Sequence, residues 1–287
     1  MSDPYRQTTH ARRSDGLSRL RYSLWLAPEG AILLACLILA EISKFPTLFS
    51  ITGLVAAFWF IIRMLLIFNA KRALANANTK RAAQTAGFAA KMNPWSADTL
   101  ALQGTIQLAS NRPQQAVKAF TQAYNCFPLQ PLLLVALSTA QLEAGESASA
   151  QASAERALAL DPGCAAAYLA AATAARAAGA ESRLIEDLLR AGLNHAQTPA
   201  DRSNLQCELA EQLLTDDRVN EARLAIQQTE GLLVRCPARQ QAGLHYRLGE
   251  LLRQVGDLES ARRHFNASER IDPSGPYAAD AWRAARS

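Results

Sequence analysis

The chain is poor in the residues from which active sites and disulfide scaffolds are built. Its 287 residues include five cysteines, Cys36, Cys126, Cys164, Cys207 and Cys236, an odd number with no Cys-x-x-Cys pair. That pattern excludes a disulfide frame and a zinc ribbon, and it reads as reduced thiols in a cytosolic compartment. The histidines, His10, His195, His245 and His264, have no second ligand at metal-binding spacing, and neither His-x-x-x-His nor His-Glu-x-x-His occurs. A Gly-rich phosphate loop, a G-x-S-x-G elbow and a kinase-like set are also missing. The acid pairs Glu186-Asp187 and Asp216-Asp217 fall on a helix and at a turn, where they read as solvated or capping groups. The sequence therefore predicts no enzyme, no cofactor and no metal.

Glycine and proline are scarce as well, at 14 and 12 residues, and no alternating Val/Ile/Thr run is present. With 49% apolar residues and abundant alanine, the composition predicts an all-α chain with a substantial core. The formal charge of +5 is unevenly spread: residues 1–94 hold 12 Lys/Arg against 4 Asp/Glu, and the remainder 18 against 21. A nucleic-acid binder needs its basic patch on the folded module, so nucleic acid is excluded as a partner. The positive charge instead surrounds two apolar segments.

Residues 1–23 are polar, carry Arg6, Arg12, Arg13, Arg19 and Arg21, and are expected to form a flexible basic tail without a cleavable signal. Residues 24–42 form a first apolar run, interrupted by Pro28 and Glu29, and residues 46–68 a second, longer one. Each is read as a spanning helix, and the short connection at 43–45 makes them a transmembrane hairpin, 24–68. The flanks carry the Lys/Arg excess and the turn only Lys44, which places both termini in the cytoplasm of a multi-pass inner-membrane protein. Glu29 and Arg63 are charges inside the apolar runs. Counted outward from Lys44 they reach a similar depth, so they can pair with each other or snorkel separately to the headgroups. Residues 69–94 read as a helical linker whose end, with Ala82, Ala86, Ala89 and Pro94, looks like the second helix of a repeat without its first.

From there the sequence repeats itself. Pro94, Pro128 and Pro162 recur at equal intervals, and the same interval separates Ala116 from Ala150 and Ala123 from Ala157. A fixed period of about 34 residues means stacked supersecondary units. Within 97–130, Gly104, Ala116, Phe120, Ala123 and Pro128 mark two helices joined at Asn111-Arg112-Pro113. The next unit keeps Leu134, Gly145, Ala150, Ala157 and Pro162 but has Ser138 and Ala154 at the places of Gly104 and Phe120. A third keeps Tyr168, Gly179 and Ala191. A few residues are then inserted at 194–201 and again at 234–240, before a last unit with Gly249, Gly256, Ala261, Phe265 and Pro273. Residues 274–287 read as a short capping helix.

This register resembles the tetratricopeptide repeat over roughly residues 79–273. The resemblance implies a right-handed superhelical solenoid of about five repeats, 95–273, plus the cap. It also implies a partner-binding trough on the first helices of the units. At those places stand Ala101, Thr105, Leu108, Leu132, Val135, Thr139, Leu142, Leu169 and Thr173, and farther on Tyr246. The set is apolar with threonines, which suits a hydrophobic peptide or an amphipathic helix; packing between neighbouring helices would use the same residues. The expected function is a membrane-anchored scaffold that binds or assembles proteins on the cytoplasmic face. The alternative is a subunit or assembly factor of a biosynthetic or secretion membrane complex, in which the hairpin makes the main contacts with an integral-membrane partner. The lipid bilayer is a partner in either case.

Overall fold

The computed structural model describes residues 35, 38, 39, 46–273 and 275–286. Apart from those first three positions, the basic tail and the first expected span, with Glu29, lie outside the described residues. Among the described residues the chain is all-helical: thirteen helices and no strand.

The first helix, α1 (Pro46–Ala75), starts at a proline and runs for 30 residues. Its stretch Ile51–Ala75 is, among the described residues, the one helix with the length and apolar composition to cross a membrane. Then follow α2 (Thr79–Met92), α3 (Ala97–Ala109), α4 (Pro113–Cys126), α5 (Pro131–Glu143), α6 (Ser147–Leu160), α7 (Ala165–Ala177) and α8 (Ser182–His195). The array ends with α9 (Pro199–Thr215), α10 (Val219–Leu233), α11 (Ala238–Gln254), α12 (Leu258–Ile271) and α13 (Ala278–Ala284). Proline at the start of α4, α5 and α9 suits a first helical residue, whose N–H has no intrahelical acceptor.

One backbone device closes the first helix of every unit. Ala77, Asn111, Gly145 and Gly179 have positive φ, at 54°, 56°, 80° and 76°, and stand one period apart; Asp217 and Gly256 follow. Each left-handed residue turns the chain so that the next N–H reaches back into the last turn of the helix. Asn78 thus bonds the Ala73 carbonyl at 2.9 Å, and Arg112, Glu146 and Ala180 repeat the bond to Gln107, Gln141 and Ala175 in turn. The helices consequently pair as six hairpins, α1–α2 through α11–α12, and each hairpin packs on the next.

Five of these hairpins, α3 to α12, are the expected repeats. The sixth differs from the sequence reading, in which residues 82–94 lack a partner. One period before the start of α3 stands Arg63, and the part of α1 from there to Ala75 occupies the missing place. Ile67, Ala70 and Ala73 are buried there with Ala82, Ala86 and Ala89 of α2 and with Leu102 and Ile106 of α3. An apolar run long enough to be a span thus ends as part of the array.

Close helix approach depends on matched small residues. A Cβ on Gly104 would lie 2.8 Å from the Phe120 ring, and one on Gly249 would lie 2.6 Å from Phe265. Glycine opposite an aromatic is therefore a steric fit. The second unit exchanges both members, since Ala154 removes the ring and leaves room for Ser138, whose hydroxyl donates to the Ala150 carbonyl at 2.8 Å. The alanine-rich third unit is tightly packed, with Ala167, Ala170, Ala171, Ala172, Ala174 and Ala175 all buried.

The inserted residues are extra helical turns. Whereas α3, α5 and α7 have 13 residues, α9 and α11 have 17. Aligned on their left-handed residues, the additions fall at 199–202 and 238–241. The core there is larger, running from Ala165 to Ala285 through Leu205, Leu209, Leu248 and Phe265. Helix α13 covers its end with the buried Ala281, while Tyr277 stacks on Tyr246 with ring centroids 5.2 Å apart.

Candidate protein-binding groove

The first helices of successive units touch one another, α1 with α3, α5 with α7, α7 with α9 and α9 with α11. They line one side of the array. The residues expected there are placed as follows: Thr105, Leu132 and Thr139 are exposed, and Ala101, Leu108, Val135, Leu142, Leu169, Thr173 and Tyr246 are half-buried. Their inner atoms pack on the core, Val135 between two clusters and Leu169 and Tyr246 on the large one, while the rest of each side chain stays open.

Thr105, Thr139 and Thr173 stand one period apart and do the same thing. Each hydroxyl donates to the carbonyl one turn back, on Ala101, Val135 and Leu169, at 3.0, 3.1 and 3.1 Å. The donors are already used, so this stretch offers a ligand little polar recognition and mainly apolar surface.

The trough extends further toward the N-terminus than the sequence indicates. A concavity of about 480 Å³ lies between α1 and α3, lined by Lys71, Leu74, Ala75, Asp98, Ala101, Leu102 and Thr105. The sequence reading assigns the first three to a linker; the register that puts Ala70 one period before Gly104 is the signal that finds them.

Beyond α7 the lining becomes charged. Glu208 receives Arg176 Nη1 at 2.9 Å and Arg247 Nη2 at 2.6 Å, and Glu211 lies 3.8 and 3.9 Å from the same two arginines. Two cations from different units thus share one largely buried carboxylate, tying α7, α9 and α11 together. Arg63 likewise turns into the protein. It is 2% exposed, bonds the Ser96 hydroxyl, and lies 3.4 Å from Thr99 Oγ1. The sequence offers Glu29 or the headgroups as its partners; Glu29 lies outside the described residues.

The other singled-out groups have structural surroundings. Burial pushes the Cys207 thiol up to about 11 and raises Cys126 and Cys164. Hydrogen bonding from Arg218 holds the Glu186 carboxyl below the usual range, and Ser182 donates to Asp216 at 2.7 Å. Sequence reasoning misses one pair. His245 and His264, 19 residues apart, meet across α11–α12 with their Nδ1 atoms 3.0 Å apart, and His264 Nε2 lies 3.1 Å from Glu230. Among the described residues no group of three such side chains could hold a metal ion.

Models of the tetratricopeptide repeat match residues 135–201 and 242–274. These two segments are tetratricopeptide repeats. Among solved structures, the type IV pilus biogenesis factor PilW is 16% identical with a TM-score of 0.54, covering 77% of this chain and 98% of that one. The thermophilic tetratricopeptide repeat protein TTC0263 of Thermus thermophilus is 21% identical with a TM-score of 0.55, covering 66% and 98%. PilF of Pseudomonas aeruginosa is 14% identical with a TM-score of 0.52, covering 78% and 98%. At these identities the likeness is one of fold. No curated protein sequence matches the chain.

Proposed function

We propose that this tetratricopeptide array is a membrane-anchored scaffold that captures or assembles protein partners on the cytoplasmic face. The observation that carries the reading is the double use of α1. Its first part is apolar and outward-facing, with Ile51, Leu54, Val55, Phe58 and Trp59 exposed, and its end is built into the first hairpin. Exposed apolar side chains along most of a helix need a covering, and a bilayer supplies it. The basic residues Lys71, Arg72, Lys80 and Arg81 follow directly, which favours the cytoplasmic side for the array. The occupant of the apolar trough is a hydrophobic peptide or the apolar face of an amphipathic helix.

The test is capture from gently solubilised membranes, comparing the full chain with Val135→Glu/Leu142→Glu. The scaffold reading expects loss of the captured partner with helicity unchanged, and undiminished capture refutes it. A second reading, in which the membrane segment makes the main contacts within a biosynthetic or secretion complex, is favoured by exposed Phe58 and Trp59. It expects capture to survive the groove substitutions and to fail when Phe58 and Trp59 are replaced by Leu. A reporter fused after Ser287 tests the side: activity of a periplasm-dependent reporter overturns the cytoplasmic placement.

A further inference from the structure

The array's edge nearest α1's apolar part carries aromatic residues that the groove does not use. Trp95 is 75% exposed and Phe88 is 59% exposed, although neighbouring Asn93, Ser96 and Ala89 are buried. This Trp sits on a fixed turn, because its backbone N–H donates to Asn93 Oδ1 at 3.2 Å and Ser96 is held by Arg63. Lys91 Nζ lies 5.8 Å from the centre of the Phe88 ring, so a cation accompanies the two aromatics.

Their depth follows from the hairpin. Because α2 returns alongside α1 from the turn at Ala77, Lys91 comes back to roughly the level of Arg63, and Phe88 to roughly that of Leu66. The exposed apolar residues of α1 run from Ile51 to Ile61 and continue past Arg63 through Met64, Leu65 and Phe68. Any bilayer that covers this surface has its boundary near the level of Arg63 to Phe68, where Phe88, Lys91 and Trp95 lie. The same place one period on holds the exposed Leu129, so the apolar character follows this edge into the next unit. By contrast, the turns at the opposite edge carry Asn76, Asn78, Asn111, Arg112, Asp216 and Asp217.

We infer that the turn at 93–96, with Phe88 and Lys91, is a bilayer-contact site that seats the first hairpin in the headgroup layer. An aromatic ring with an apolar body and a polar edge, beside a lysine, matches the chemistry of that layer. The occupant is the lipid surface itself. This inference rests on the anchored reading, and the two are separable by experiment.

The full chain is reconstituted into phosphatidylcholine vesicles as single-tryptophan variants, retaining Trp95, Trp59 or Trp282 and replacing the others by Phe. Brominated lipids then report the depth of each ring. The Trp95 variant is expected to lose most of its emission to bromines placed near the headgroup and less to deep ones, while Trp282 stays unquenched. If Trp59 is quenched and Trp95 is not, and Trp95 remains open to aqueous iodide, the contact site is refuted and the anchor stands; the aromatic patch then belongs to a protein partner. If Trp59 is not quenched, the anchored reading falls and this inference with it. Circular dichroism of each variant confirms the same helicity before it is read.

Discussion

Arg63 and Ser96, 33 residues apart, are joined by a hydrogen bond from the guanidinium to the hydroxyl, and Thr99 stands beside them. The bond crosses from α1 to the start of α3, so it fastens the apolar helix to the second unit as well as to the first. A hydrogen bond from a charged group contributes about 1.5–3 kcal/mol. Arg63→Ala should therefore loosen the first hairpin locally, because a repeat array is stabilised by nearest-neighbour contacts. Hydrogen exchange should show lost protection across α2 and the start of α3, with α11–α12 unchanged. Uniform loss along the whole array would contradict this.

The fit between Gly249 and Phe265 predicts a compensated pair. Gly249→Ala alone should cost about 1–3 kcal/mol through overpacking. Adding Phe265→Leu should recover part of that loss, since the ring is what the methyl group strikes. Thermal unfolding of the two single variants and the double variant measures the coupling; additive effects would refute steric matching.

Ala77 occupies the left-handed place that glycine fills at 145, 179 and 256. A Cβ there costs roughly 1–2 kcal/mol, part of which the greater unfolded-state freedom of glycine cancels. Ala77→Gly should stabilise the first hairpin by about 0.5–1 kcal/mol, read as slower exchange of the α2 amides.

The histidine pair predicts an acid-sensitive end of the array. Burial first, then the neighbouring His264 and Arg270, lower His245 to about 4, and burial also lowers His264 despite Glu230. With both ring nitrogens at 3.0 Å, one must accept, so the doubly protonated pair is disfavoured. The unfolded chain takes up these protons near pH 6.5. Stability is thus intact above that value and falls as the pH drops from about 6.5 toward 4. The melting temperature of α11–α12 should follow this course, and His245→Leu should flatten it. The salt-bridged Glu186 and Glu221, held low by Arg218, contribute their own loss only at lower pH.

The period is legible because its carriers are chemically distinctive. Proline at a helix end and alanine at a crowded contact tolerate few replacements, so Pro94, Pro128, Pro162 and the buried alanines preserve the count. The role of the end of α1 is hidden because Ile67, Ala70 and Ala73 suit a bilayer and a helix contact equally well. The histidine pair is hidden for a different reason: residues 245 and 264 share no local motif and meet only because two helices fold back on each other. The spacing reveals two insertions and puts them at 194–201 and 234–240, but their conversion into helical turns at 199–202 and 238–241 depends on the larger core they cover. In the groove, the register locates Thr105, Thr139 and Thr173. That their hydroxyls are internally occupied is a property of the folded backbone.

The alanines packed between α6 and α7 have a mechanical consequence. Ala154, Ala170 and Ala171 are buried together there, with Val135, Leu158 and Leu188 packed against them. Side chains this small let the two helices approach closely, so the second and third units are held at a tight seam. A larger side chain at Ala170 or Ala171 would wedge the second and third units apart and so alter the angle between the two halves of the trough.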